Sequence, residues 1–278
     1  MEKRIISVQD VSCVGQCSLT VALPIISACG VETAILPTGI LSTHTANFTG
    51  FTVLSMTHEI AKIMKHWASE KITFDAVYTG YILPDQIELV KELCEKYNKG
   101  YKIIDPVMAD HGKFYYGFDE RFAKEMASLC ENADVILPNL TEAAYLLGEE
   151  PVLDGYDEKY VVRLVKRLSD KMKVKNVVLT GVSFDKDLLG VAVYTREGKN
   201  VNYYFGERIP RDFHGTGDIY SSAFVGAFMN GKSVFDSAKI AVDYTIRCMK
   251  NTIADADAHP YGVFFEQAIP YLLQAINK

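Results

Sequence analysis

Short apolar runs recur along the chain, each closed by polar or glycine punctuation and most followed by a longer amphipathic stretch. Arg4-Ile5-Ile6-Ser7-Val8 is the first such run, and Gln9 to Gly15 reads as the polar loop behind it. Ser18 to Cys29 has helical spacing, Thr33-Ala34-Ile35-Leu36-Pro37 reads as a second strand, and Thr38 to Gly50 as a long polar loop. Helices are predicted over Thr57 to Trp67 and over Pro84 to Tyr97, the latter with proline in its first turn. Ala76-Val77-Tyr78-Thr79, Tyr101-Lys102-Ile103-Ile104, Asp134-Val135-Ile136-Leu137 and Asn176-Val177-Val178-Leu179 read as further strands. Gly190 to Thr195 and Val201 to Phe205 alternate around a polar turn, the pattern of an edge hairpin. Strands that are apolar throughout, separated by helices, predict an α/β protein with a mostly parallel sheet covered on both faces. No linker, repeat or low-complexity tract breaks the pattern, so residues 1–278 read as one domain.

The chemistry sits where the strands stop. Thr79-Gly80-Tyr81, Asp105-Pro106-Val107-Met108, Pro138-Asn139-Leu140-Thr141-Glu142 and Thr180-Gly181 each follow an apolar run. Ligands of open parallel sheets bind beyond the carboxyl ends of the strands, so these groups are expected on one rim. Gly215-Thr216-Gly217-Asp218 can join them. Its glycines permit a close backbone approach, and the small-residue run after it has a helical period. A helix start behind such a turn offers unpaired N–H groups and partial positive charge to an anion, most naturally a phosphate oxygen. Asp218, in the first turn, is placed to accept a hydroxyl proton there. The same four letters also describe a tight turn with a cap. Asp105, Asn139 and Glu142 are oxygen donors suited to Mg2+, while Asn139 and Glu142 equally suit a helix cap. His44 and Thr45 lie in a polar loop that could touch a substrate, although His44 is also an ordinary loop histidine.

Composition narrows the classes. A formal net charge of -6 argues against a nucleic-acid binder, though not against a small anionic ligand held locally. No apolar stretch approaches a membrane span, and no signal peptide is apparent. The six cysteines form no CxxC pair and read as reduced thiols of a cytoplasmic protein. A Rossmann dehydrogenase would want G-x-G-x-x-G after the first strand, and a P-loop kinase would want GxxxxGK[ST]; neither is present.

The stretches Ile6 to Gly15, Leu41-Ser42-Thr43-His44-Thr45, Thr79-Gly80-Tyr81, Asp105 to Met108, Pro138 to Glu142 and Gly215 to Asp218, in this order, resemble the pyridoxal/pyridoxamine kinases of the ribokinase-like superfamily. The resemblance implies one three-layer α/β/α kinase domain with a mostly parallel sheet and an edge hairpin. It implies ATP and Mg2+, phosphorylation of the 5′-hydroxymethyl group of a vitamin B6 vitamer, and a homodimer. By resemblance, Asp218 is the catalytic base and Gly215, Thr216 and Gly217 the anion hole. Asn139 and Glu142, with Asp105 nearby, belong to the Mg2+ and phosphate shell, and Thr180 contacts the nucleotide. Asp10, Ser12, Thr45 and Tyr81, with His44, belong to the vitamin side. Two departures stand out. Many pyridoxal kinases carry serine where Asp10 falls, which opens the exact substrate. The run His214-Gly215-Thr216-Gly217 is similar to hydroxymethylpyrimidine kinases, which usually continue with cysteine; Asp218 here favours the pyridoxal branch. A hydroxymethylpyrimidine or sugar kinase, or a binding protein without turnover, are the competing readings.

Overall fold

The computed structural model describes residues 3–45, 48–211, 213–259 and 261–278. In chain order the elements are β1 (Arg4–Ser12), α1 (Leu19–Ala28), β2 (Glu32–Leu41), β3 (Val53–Ser55), α2 (Thr57–Ser69), β4 (Phe74–Thr79), α3 (Ile87–Lys96) and β5 (Asn98–Ile104). They continue as β6 (Ala109–Asp110), β7 (Lys113–Phe114), α4 (Glu120–Cys130), β8 (Val135–Ile136), α5 (Leu140–Leu147), α6 (Glu158–Met172) and β9 (Asn176–Val182). The chain ends with β10 (Leu188–Thr195), β11 (Val201–Glu207), α7 (Thr216–Met229), α8 (Val234–Ala254) and α9 (Ile269–Ile276). Nine strands form one sheet in the order β11-β10-β9-β8-β5-β4-β1-β2-β3. The pairings from β2 through β9 are parallel, while β3 and the β10–β11 hairpin run antiparallel at the two edges.

The period of two along each strand explains why the strands read as solid apolar runs. Ile6, Val8, Val77, Ile104, Ile136, Val177 and Leu179 face a core built with α2 to α6. Their neighbours Ile5, Ala76, Tyr78, Ile103, Val135 and Val178 face a second core built with α1, α7, α8 and α9. Each large aliphatic side chain so buried stabilises the fold by roughly 1.5–3 kcal/mol before entropy is charged against it. The helices obey the complementary period. In α6 the buried residues Val161, Leu164, Val165, Leu168 and Met172 make one stripe; Asp157 caps its start and Lys173, at φ 56°, ends it.

Several expected boundaries move. β1 does not stop at Val8 but runs through Asp10 to Ser12, so the expected loop from Gln9 is half strand. β2 likewise continues to Leu41, and β3 lies just beyond the end of the expected loop. The expected helix from Pro84 opens as a single 3-10 turn before α3. Thr180 and Gly181 lie inside β9 rather than after it. The edge hairpin is present, two residues longer at each outer end. All six cysteines are free.

Candidate active site

The strand ends bring five acids into a row along the rim. Asp10 is near the end of β1, Asp218 in the first turn of α7, Asp105 just after β5, Glu142 in the first turn of α5 and Asp110 in β6. Each carboxylate raises the proton affinity of a neighbour: Asp10 that of Asp218, Asp218 that of Asp105, and Asp105 and Asp110 that of Glu142. Burial is the larger cause in all three. The row therefore collects negative charge in a low-dielectric place, which ordinary folding energetics disfavour.

Helix α7 supplies the opposite polarity. Helices α4, α5, α6 and α8 have their starts capped by the side chains of Asp119, Asn139, Asp157 and Ser233. The start of α7 has Gly215 at the cap position, with no side-chain cap. Gly215 adopts φ +81°, and a Cβ there would lie 1.9 Å from the carbonyl oxygen of Gln16. The glycine is thus required by both conformation and contact, and it lets the β1–α1 connection pack against the helix start. A Cβ at Gly217 would meet nothing within 4 Å. Gly217 therefore faces open space beside an uncapped helix N-terminus, the geometry of an anion site.

Asp218 accepts a 2.9 Å hydrogen bond from the backbone N–H of Ser18. The residue is half-buried, yet its carboxyl is pushed up to about 6, chiefly by burial and further by Asp10, against the Ser18 N–H. Three positions on, one helical turn along the same face, the hydroxyl of Ser221 donates to Asp105 at 2.6 Å. Burial raises Asp105 and Ser221 opposes it.

Asn139 and Glu142 form a full capping box. The Asn139 side chain accepts from Glu142 N–H at 2.9 Å, and Glu142 accepts from Asn139 N–H at 2.9 Å. The second Glu142 oxygen accepts from Met108 N–H at 3.1 Å, and the Asn139 amide donates to the Ala109 carbonyl at 2.8 Å. The cap therefore ties α5 to the segment after Asp105. Thr180 sits next to it, its N–H donating to the Pro138 carbonyl at 2.9 Å and its backbone bridging to Asn139.

On the other side, Ser12 donates to Asp10 at 2.9 Å. Tyr81 is half-buried, and its phenol is pushed up to about 12 by burial and by Asp10. His44 is buried, makes a 2.9 Å hydrogen bond through Nε2 with the Tyr261 carbonyl, and packs so closely on Gly15 that a Cβ would lie 2.1 Å from its ring. Thr45 is exposed on the same loop. Sequence reasoning missed Asp110, Ser18, Ser221 and Tyr115. Asp110 and Tyr115 belong to the β6–β7 hairpin and its edge, whose two-residue strands carry no readable period. The Tyr115 phenol is raised by its surroundings and by the charges of Glu142, Asp110, Asp218 and Asp105. Ser221 could have been found from its i+3 spacing to Asp218.

Among the described residues no cluster of three His, Cys, Asp or Glu side chains converges as a direct metal cage. The acids Asp105, Asp110 and Glu142 do fit Mg2+ held through its waters and phosphate oxygens. Such an ion binds few protein oxygens directly, and this negative charge is compensated by no Lys or Arg ion pair to Asp105 or Glu142 among the described residues.

The parallel sheet, the polar rim and the glycine-led start of α7 define a ribokinase-like α/β scaffold. The pattern of the phosphomethylpyrimidine kinase family matches residues 22–260. A pyridoxal kinase from Dictyostelium discoideum is 26% identical over 249 residues, covering 81% of this chain and 78% of that protein. A candidate phosphomethylpyrimidine kinase from Bacteroides thetaiotaomicron, solved with pyridoxal, is 33% identical with a TM-score of 0.92, covering 98% of this chain and 96% of the other. A pyridoxal kinase from Lactobacillus plantarum gives 28% identity and a TM-score of 0.90, covering 98% and 97%. The chain belongs to the phosphomethylpyrimidine kinase family, on a ribokinase-like fold, and is similar to pyridoxal kinases.

Proposed function

We propose that the chain is an ATP-dependent kinase that phosphorylates the 5′-hydroxymethyl group of a vitamin B6 vitamer. The observation that carries the reading is the pairing of Asp218, a base raised to about 6, with the uncapped start of α7 behind Gly215. Phosphoryl transfer asks the protein mainly for positioning and charge stabilisation. Asp218 takes the hydroxyl proton; a base so placed contributes about 100- to 10,000-fold. The N–H groups of Thr216, Gly217 and Asp218 donate to the oxygens of the transferred phosphoryl group. Thr180 and Asn139 orient the nucleotide beside α5, and Asp105, Asp110 and Glu142 are the residues that would hold a Mg2+ ion through its waters. When bound, Mg2+ supplies charge neutralisation on the phosphates. Asp10, Ser12, His44, Thr45 and Tyr81 surround the vitamin. One domain of 278 residues carries this activity.

A homodimer in the cytoplasm completes the reading, and no helix among the described residues is long and apolar enough to cross a membrane. Incubation of the purified protein with ATP, Mg2+ and pyridoxine, followed by mass spectrometry of the product, tests the activity. A monophosphate ester on the hydroxymethyl carbon supports it, and recovery of unmodified vitamer alongside intact ATP rejects it.

A further inference from the structure

We propose that Asp10 is a specificity-determining residue: its buried carboxylate holds a protonated nitrogen of the substrate, and so favours B6 vitamers over a neutral aminopyrimidine alcohol. The inference rests on the B6 kinase reading and deepens it.

Asp10 is 4% exposed and lies at the sheet rim, near the end of β1. Its partners are dipoles, the hydroxyl of Ser12 at 2.9 Å and the side chain of Ser18. No Lys or Arg forms an ion pair with it among the described residues. His44 is near enough to ease its charge, while Asp218, Tyr81 and Cys17 on the surrounding elements all feel that charge unfavourably. Burial accordingly raises the proton affinity of Asp10, against the serines and His44. Ser18 stands between the two acids, its N–H on Asp218 and its side chain on Asp10. Two like charges thus bracket one residue at the place where the substrate alcohol must reach Asp218. Hydroxyl dipoles do not neutralise a buried charge, so the site is left with uncompensated negative potential.

A ligand bearing an N–H+ donor relieves that potential and gains a charge-assisted hydrogen bond. The 3-hydroxypyridine ring of the vitamers carries a proton on its nitrogen near neutral pH, and pyridoxamine adds an ammonium group. An aminopyrimidine is a weaker base and enters neutral. The chemistry Asp10 reads is the charged nitrogen, from either the ring or the amine.

Dissociation constants separate these sources. Pyridoxine, pyridoxamine, aminopyrimidine methanol and a pyridoxine analogue with carbon in place of the ring nitrogen are titrated into wild type, Asp10→Asn and Asp10→Ser. Asn keeps the acceptor for Ser12 and removes only the charge. The expected result is a loss of roughly tenfold or more for pyridoxine and pyridoxamine in Asp10→Asn, with the two neutral ligands changed less than about twofold. A loss for both vitamers of equal size assigns the ring nitrogen; a further loss confined to pyridoxamine assigns the amine. An equal loss for all four ligands with a lowered melting temperature makes Asp10 a structural residue and overturns the proposal, as does unchanged vitamer affinity. Wild type alone provides a second check, since it must bind pyridoxine roughly tenfold or more tighter than the ring-carbon analogue. Equal binding of that pair overturns the role of Asp10 and leaves the kinase reading standing. Wild type that binds the pyrimidine and no vitamer overturns both.

Discussion

The two ends of the acidic row are built differently. Glu142 is buried with both oxygens on backbone N–H groups, of Asn139 and Met108, so its carboxylate also holds the fold together. Asp10 and Asp218 share Ser18 and otherwise meet hydroxyls and each other. The first end is a site made from a helix cap, and the second is a site made at the expense of local stability. An acid that serves as a cap cannot be removed without loss of structure. An acid that repels its neighbours can be removed with loss of chemistry alone.

The largest expected effect comes from that contrast. Asp218→Asn lowers kcat by about 100- to 10,000-fold in a coupled ADP assay. Asn can still accept the Ser18 N–H, so folding is retained; near-full kcat would remove Asp218 from the role of base. Glu142→Ala strips the acceptor from two backbone N–H groups, and should cost roughly 2 kcal/mol or more in denaturant unfolding. Its activity should be partly restored by added Mg2+, and Glu142→Gln, which keeps one acceptor, should be less damaging to stability. An unchanged Mg2+ titration with lowered stability would leave Glu142 as a cap only.

The two glycines of the turn sharpen the same division. Gly215→Ala meets the Gln16 carbonyl and an unfavourable φ, so it should cost about 1–3 kcal/mol in stability. Gly217→Ala has room, so its melting temperature should stay near wild type while the KM for ATP rises, because the new methyl group stands where phosphate approaches. A melting temperature that falls as far as that of Gly215→Ala would contradict the open anion site.

The smallest effect is in pH dependence. Asp218 is raised to about 6, so kcat/KM should fall as pH drops below about 6 and the base is protonated. The sign for stability is opposite. A carboxyl with a raised folded-state pKa binds its proton more tightly when folded, so its ionisation opposes folding above about pH 6 and that opposition fades on acidification. Relative to wild type, Asp218→Asn should therefore gain in melting temperature as pH rises from about 4 to about 6, and hold that gain above it. A difference that is flat with pH would show that burial does not penalise this carboxylate.

Much of this was legible in the sequence. The apolar runs located the parallel strands, because burial on both faces leaves no polar alternation to interpret. The strand-end motifs gathered Asp105, Asn139, Thr180 and Asp218 correctly at one rim, since a parallel sheet places all its carboxyl ends together. The boundaries of β1 and β2 were not legible. Gln9, Asp10 and Ser12 look like loop residues, but Gln9 donates to Ser7 and Ser12 to Asp10 while the backbone still pairs with β2. Asp110 and Tyr115 were missed because a hairpin of two-residue strands leaves no periodic trace. The capping box of Asn139 and Glu142 was readable as a cap, yet its link to Met108 and Ala109 depends on a tertiary approach that no local spacing encodes.

Both ends of the acidic row bear on one property, the choice of substrate by a working kinase. Coupled ADP release measured side by side with pyridoxal, pyridoxamine, pyridoxine and hydroxymethylpyrimidine tests it most directly. The expected result is Mg2+-dependent turnover with the vitamers at a kcat/KM above that for the pyrimidine. Turnover confined to hydroxymethylpyrimidine, or ADP release that no vitamer stimulates, would contradict it.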